Sequence, residues 1–402
     1  MGLNNPKYPK PNEINFPAVN QKKWNISLPS KIEYSNEEYG KTAVNICLLK
    51  SGNILISYIE RDETEFTGRS FLSIYNVPDL KLIEQYEYQY EVNKNIFFLS
   101  YSNQSKDGNI FSIGDKLYIF DGESISQGPS KNSEKINDVN FHNVLFQFFE
   151  SSDEDHSNPI KKNGKIFIGD DFLEVKEGIF IYTDSPFNKN QEIFLLDMSD
   201  LNIKTKSIFS YEKVTKFGPS YYRFNILLHS EYYPENLYVY AFYNEKEYES
   251  VLLCFNIEEF INKSKSSNKP LFSILVNKTE IVIGMCEYDK KYLLLDSYKN
   301  GIYIVDIELK QTVSVCVPKC FYMNKYYNLY KDRKRNEGKF YRKIIKLKDG
   351  QVFINGDIIN IREQKSINIM RELNFKKFVV SGDYIIFYFK DTSIHVYKLE
   401  EE

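Results

Sequence analysis

The sequence predicts an all-β protein of repeated four-stranded antiparallel units, and three observations predict it. Seven times an apolar run ends in an aromatic or aliphatic residue followed at once by a polar or charged one: Tyr75-Asn76, Phe120-Asp121, Leu196-Asp197, Phe255-Asn256, Val305-Asp306, Ile361-Arg362 and Tyr397-Lys398. The intervals between these endings are 45, 76, 59, 50, 56 and 36 residues, close to one four-stranded unit each, with insertions. The runs are rich in Ile, Leu, Tyr and Phe and are broken by Gly, Asn and Asp, the residues of tight turns. Strand repeats at this period are the mark of a β-propeller. The expectation is seven blades of four antiparallel strands, closed by a strand from the N-terminus.

The first unit shows the plan. Residues 44–49 (VNICLL) form a strand, 50–53 a turn, 54–59 (ILISYI) a second strand, 60–68 a polar loop, 71–75 (FLSIY) a third strand and 80–86 a fourth. Later units repeat it with drift. The second has IFFLSY, GNIF and KLYIF; the third VLFQFF, GKIFIG, GIFIY and EIFLLD; the fourth NILLH, NLYVYAFY and VLLCFN. The fifth has EIVIGM, KYLLLDS and GIYIVD, the sixth FYRKIIKL, GQVFING and DIINI, and the last KFVVSG, YIIFYF and SIHVY. Continuous apolar runs, without clean alternation, fit strands buried on both faces between neighbouring sheets. The 76-residue interval has room for an extra hairpin. The last unit stops one strand short, so residues 25–28 or 31–34 are expected to pair with it and cover the open edge.

This pattern resembles the WD40-repeat family of β-propellers over about residues 27–402. Only three of the seven endings carry the Asp of the family's Trp-Asp signature (Asp121, Asp197, Asp306), the Gly-His pair that opens a family repeat is absent, and the single tryptophan, Trp24, lies outside the repeats. The resemblance implies one propeller domain over 27–402, preceded by an extended arm over 1–26, and a role as a platform for other proteins.

Composition narrows the function classes. The 402 residues carry a net charge of −3 and 16% aromatic residues, with 32 Tyr and 30 Phe, which suits packing between sheets. A slightly acidic chain is a poor match for nucleic acid as main partner, because phosphate binding needs a basic footprint. There is no run of 18 apolar residues to span a bilayer. The N-terminal segment lacks the apolar stretch of a secretory leader. Five scattered cysteines fit a reduced, cytoplasmic protein.

No catalytic, cofactor or metal site is legible. Of the four histidines, His142, His156, His229 and His395, none has a second His two or four residues away. Cys316 and Cys320 have the wrong spacing for a redox or zinc motif. Phosphate-binding loops, nucleophile elbows and HExxH motifs are missing. Asp115, Asp170, Asp171 and Asp296 are conceivable members of a channel-type hydrolase site, but are expected in surface turns.

Three segments suit binding. Residues 322–343 set Tyr326, Tyr327 and Tyr330 before Lys331, Arg333, Lys334, Arg335, Arg342 and Lys343, a mix able to hold a phosphoinositide headgroup or nucleic acid. The acidic insertion 150–163 reads as a surface loop. The proline-rich arm offers Tyr8 and Phe16 as anchors, either on its own chain or on a neighbour. The reading is a non-catalytic interaction scaffold or structural subunit of a larger intracellular assembly; a phosphoinositide- or nucleic-acid-binding propeller using 322–343 is the alternative.

Overall fold

A computed structural model describes residues 8–19, 24–32, 41–49, 51–61, 68–89, 96–98, 110–113, 116–120, 125–127, 172–176, 179–183, 192–197, 204–215, 218–221, 223–244, 248–277, 282–297, 301–318, 344–347, 350–354, 356–368, 375–389 and 393–401. Among them lie seven four-stranded antiparallel sheets and one two-stranded hairpin.

After β1 (Trp24–Ile32) come β2 (Lys41–Leu48), β3 (Ile54–Arg61), β4 (Gly68–Tyr75) and β5 (Leu82–Gln89), each paired with the next. A second sheet holds β6 (Ile96–Phe98), β7 (Ile110–Ile113), β8 (Lys116–Phe120) and β9 (Ile125–Gln127). A third holds β10 (Phe172–Lys176), β11 (Ile179–Thr183), β12 (Ile193–Asp197) and β13 (Lys204–Phe209). The hairpin β14 (Glu212–Thr215) and β15 (Gly218–Tyr221) follows. The fourth sheet holds β16 (Arg223–His229), β17 (Asn236–Asn244), β18 (Tyr248–Asn256) and, after helix α1 (Ile257–Asn262), β19 (Phe272–Asn277). The fifth is β20 (Val282–Glu287), β21 (Tyr292–Ser297), β22 (Ile302–Asp306) and β23 (Gln311–Cys316). The sixth is β24 (Ile344–Lys346), β25 (Val352–Ile354), β26 (Asp357–Asn360) and β27 (Lys365–Asn368). The chain ends in β28 (Phe375–Ser381), β29 (Tyr384–Phe389) and β30 (Ile394–Glu401).

The last sheet is completed from the other end of the chain. β1 pairs antiparallel with β30, from Trp24 opposite Glu401 to Ile32 opposite Ile394. The open edge expected at the last repeat is therefore paired. A hairpin, β14–β15, lies in the 59-residue interval; residues 128–171 of the 76-residue interval, where the sequence has room for an extra hairpin, lie outside the described part. Strands β9 and β10, which alternate or run short, escaped the sequence reading because neither carries a long apolar run.

The chain forms two compact units. One takes in residues 22–101, 105–149 and 372–402. Within it the first strand of the first sheet, β2, lies beside the first strand of the last, β28. Ile46, Ile54, Ile56 and Phe71 share a core there with Val379, Ile386, Ile394 and Val396. The other unit takes in 1–21, 102–104 and 150–371, so it holds the arm and the third to sixth sheets. Here the first strands adjoin in series, β10 by β16, β16 by β20 and β20 by β24. Sheets stacked face to face with their first strands together are propeller blades.

Strand β17 shows why the apolar runs are continuous. Leu237, Val239 and Ala241 enter the core shared with the third sheet, while Tyr238, Tyr240 and Phe242 enter the core shared with the fifth. Leu237, Val239 and Phe242 each contribute about 1.5–3 kcal/mol by leaving water. Tyr240 also satisfies its hydroxyl across sheets: it bonds Ser250 Oγ at 2.9 Å and accepts from the Val282 amide at 2.8 Å.

Candidate functional site

In the first, fourth and fifth sheets the polar residue after the third strand is a turn cap. Asn76 Oδ1 accepts from the Lys81 amide at 2.7 Å, Asn256 Oδ1 from Glu259 at the start of α1 at 3.1 Å, and Asp306 Oδ1 from Leu309 at 2.9 Å. These short side chains reach backbone donors that the turn leaves unpaired. In the sixth sheet the cap is Asn360, accepting from Glu363 at 3.1 Å, so the Ile361-Arg362 ending sits two residues late. Tyr397-Lys398 lies within β30, which continues to Glu401 beside β1.

In an antiparallel meander the first and third turns of every sheet fall at the same end. In the arm-bearing unit this end gathers a polar network across three sheets. Glu287, 4% exposed at the end of β20, accepts from Ser230 Oγ and, at 2.5 Å, from the Glu231 amide, both in the β16–β17 turn. Ser230 Oγ in turn accepts from the Tyr233 amide at 2.9 Å. Burial pushes the Glu287 carboxyl above its usual range, against the pull of these donors. From the sixth sheet the Lys346 ammonium donates to the Tyr288 carbonyl and lies 4.9 Å from the centre of the Tyr288 ring. Lys291, in the β20–β21 turn, pairs with Asp306 at 3.4 Å, and that carboxylate raises its pKa.

The arm is laid over this end. Tyr8 stands edge-on to Tyr303, with ring centres 6.2 Å apart, and its hydroxyl donates to the Val276 carbonyl at 3.5 Å. Ser314 Oγ donates to the Pro9 carbonyl at 2.6 Å, and a 3-10 turn at Pro11–Glu13 buries Pro11. Phe16, 1% exposed, sits 4.5 Å from Tyr288 and 5.2 Å from Tyr292, centre to centre. Arg362 donates to the Phe16 carbonyl at 3.1 Å and Asn360 to that of Val19 at 3.4 Å. Gly350 has φ +83, and a Cβ there would stand 3.0 Å from a Val19 methyl. Only glycine lets the turn take this shape and the arm pass so close.

Of the sequence-derived anchors, Tyr8 and Phe16 are thus engaged on their own chain. Tyr326, Tyr327, Tyr330, Lys331, Arg333, Lys334, Arg335, Arg342 and Lys343 lie outside the described residues. The arm's extent is shorter than expected, since β1 begins at Trp24, inside the 1–26 span. Arg362 and Lys346 went unrecognised because an isolated basic residue in a turn carries no sequence signal.

Asp296 is fully buried within β21, which corrects its expected place in a surface turn. His229 lies 2.7 Å from the Pro234 carbonyl, and His395 packs 4.5 Å from the Phe389 ring. Cys254, Cys286 and Cys316 are buried thiols, and burial pushes Cys254 to about 12, far from a reactive thiolate. His142, His156, Cys320, Asp115, Asp170 and Asp171 lie outside the described residues. Among the described residues no group of three or more His, Cys, Asp or Glu is placed to hold a metal, and no helix is long and apolar enough to cross a membrane.

No family model matches the chain, and no curated protein does. Among solved structures the chain is similar to the WD40 β-propeller domain of Doa1, at 10% identity over 93% of this chain and 97% of that one, with a TM-score of 0.41. It is also similar to chains in two COPII coat structures, an outer coat vertex on membranes and the assembled coat, each at 10% identity over 91% of this chain. Those matches cover 84% and 47% of the other chain, both with a TM-score of 0.35. The fold assignment rests on the sheets themselves: by their order, pairing and stacking, with the last completed by an N-terminal strand, they form four-stranded blades of the β-propeller type.

Proposed function

We propose that the protein is a non-catalytic interaction scaffold, a structural subunit of a larger cytoplasmic assembly. The observation that carries this reading is the use of the buried polar groups. Glu287 is taken up by turn donors of the next sheet, Asp306 and Asn360 by their own turns, and Lys346 by a neighbouring carbonyl. A catalytic centre keeps such groups aimed at a substrate position; these aim at backbone. What they build is a rigid support whose exposed surface is left for contacts. The neighbours in coat structures are consistent with such a use, as a fold-level analogy.

The test is the native mass. Sizing of an extract under mild salt should place the protein well above its own 47.5 kDa, with a fixed set of companion chains in the same fractions. Elution at the monomer mass in fresh extract would contradict the scaffold role.

A further inference from the structure

Two neighbouring outer strands of the arm-bearing unit are treated differently. The outer strand of the fifth sheet, β23, is covered by the arm, through Pro9 on Ser314 and the 3-10 turn that packs on it. Among the described residues, the arm meets the outer strand of the fourth sheet, β19, at Val276, whose carbonyl accepts from the Tyr8 hydroxyl, while Thr312 Oγ1 of β23 donates to the carbonyls of Leu275 and Val276. The rest of β19 carries an apolar strip. Ser273 pairs with Leu253, and Leu275 with Val251, so both share the face of β18 that looks toward the third sheet. Leu271, two residues before Ser273, is 54% exposed and Leu275 is 47% exposed.

Positive charge flanks this strip. Lys269 is exposed two residues before Leu271. Lys206, exposed on β13, pairs with Leu195 on the third-sheet face that looks toward the fourth, and its ammonium donates to the Ile261 carbonyl at 2.7 Å. Among the described residues neither lysine makes an ion pair. The buried Asn268 fixes the approach to β19 by donating to the carbonyls of Ile208 and Phe260, both at 2.9 Å, so strip and lysines are held together.

We propose that the strip Leu271–Ser273–Leu275, flanked by Lys206 and Lys269, docks an extended acidic-apolar segment of a protein partner, as the chain's own arm docks on β23. Residues four apart on the incoming strand would meet Leu271 and Leu275, and carboxylates beside them would meet the two ammonium groups. The opposite charge would favour encounter, and burial of the leucines would hold the complex. This rests on the scaffold reading and names one of its surfaces.

The test uses the full chain and two labelled peptides, one of alternating Asp and Leu and its Lys and Leu counterpart, read by fluorescence anisotropy. The Asp-Leu peptide should bind about tenfold or more tighter than the Lys-Leu peptide. Leu271→Ser with Leu275→Ser should weaken it about tenfold with the melting temperature kept, because exposed positions carry little stability. Lys206→Gln with Lys269→Gln should flatten the salt dependence. Equal affinity for both peptides, or unchanged binding by the double leucine variant, would overturn the site. So would sedimentation showing a dimer that this variant dissociates, since the occupant would then be a second copy. If companion chains in cell extract stay with the leucine variant, the site fails while the scaffold reading stands.

Discussion

At the scale of single residues, the account distinguishes side chains that tie elements together from those that fill space. Phe16 does both, since its ring is enclosed by Tyr288 and Tyr292 and its carbonyl is held by Arg362. Phe16→Ala should cost about 3 kcal/mol in chemical unfolding and speed proteolysis of the arm; unchanged values would mean that the arm carries no stability. Glu287 gives a pH prediction with a definite sign. Its carboxyl titrates higher folded than unfolded, because burial disfavours the charge. The protonated form is therefore favoured by folding, and this contribution is present at acid pH and lost as pH rises through the folded value. Urea midpoints of the wild type, measured against Glu287→Gln, should shift in favour of the wild type as pH is lowered from neutral into the ordinary carboxylate range. A shift in the opposite sense would show that the Ser230 and Glu231 donors outweigh desolvation.

At the scale of elements, the meanders and their turn caps account for most of what the sequence displayed. Apolar runs such as VLLCFN and YIIFYF were legible as strands because both faces are buried, which leaves a long hydrophobic signal. The outer strands β13 (KTKSIF) and β27 (KSIN) were not, since their Lys, Ser and Thr residues make them resemble polar loops. The caps were half legible. Asn76, Asn256 and Asp306 stand where the repeat places them, but Asn360 precedes the Ile361-Arg362 ending, because the sixth-sheet turn starts at the end of a shorter strand. Replacing Asp306 or Asn256 by Ala should cost about 1 kcal/mol each, read by thermal or chemical unfolding. Truncations separate the arm from β1. Removing residues 1–20 should lower stability and leave a monomer, whereas removing 1–36 strips β1 from β30 and should in addition expose a sticky edge. Equal, monomeric behaviour of the two truncations would refute the pairing. The basic-aromatic segment 322–343 is a separate matter of charge: Arg333→Ser, Lys334→Ser and Arg335→Ser together should mainly slow association with an acidic protein partner, and should weaken binding at every lipid or sequence tested if the partner is a phosphate.

At the scale of the whole molecule, the binding surfaces were the least legible part, for a physical reason. A scaffold surface is assembled from residues far apart in sequence, such as Lys206 on β13 and the Ile261 carbonyl it reaches, and no local motif records their meeting. The turn-end network has the same character, with Ser230, Glu287 and Lys346 drawn from three sheets. What the sequence did record was repetition, because each sheet must solve the same problem of closing turns and burying faces. The central claim is that this repetition builds a support for other proteins and that its buried polar groups serve the support. The most direct measurement is affinity capture of the native protein, with quantitative mass spectrometry of the companion chains. The account predicts a reproducible set of companions at fixed ratios to the bait. Recovery of the protein alone, with hydrolytic turnover abolished by replacing Glu287 or Asp296, would contradict it.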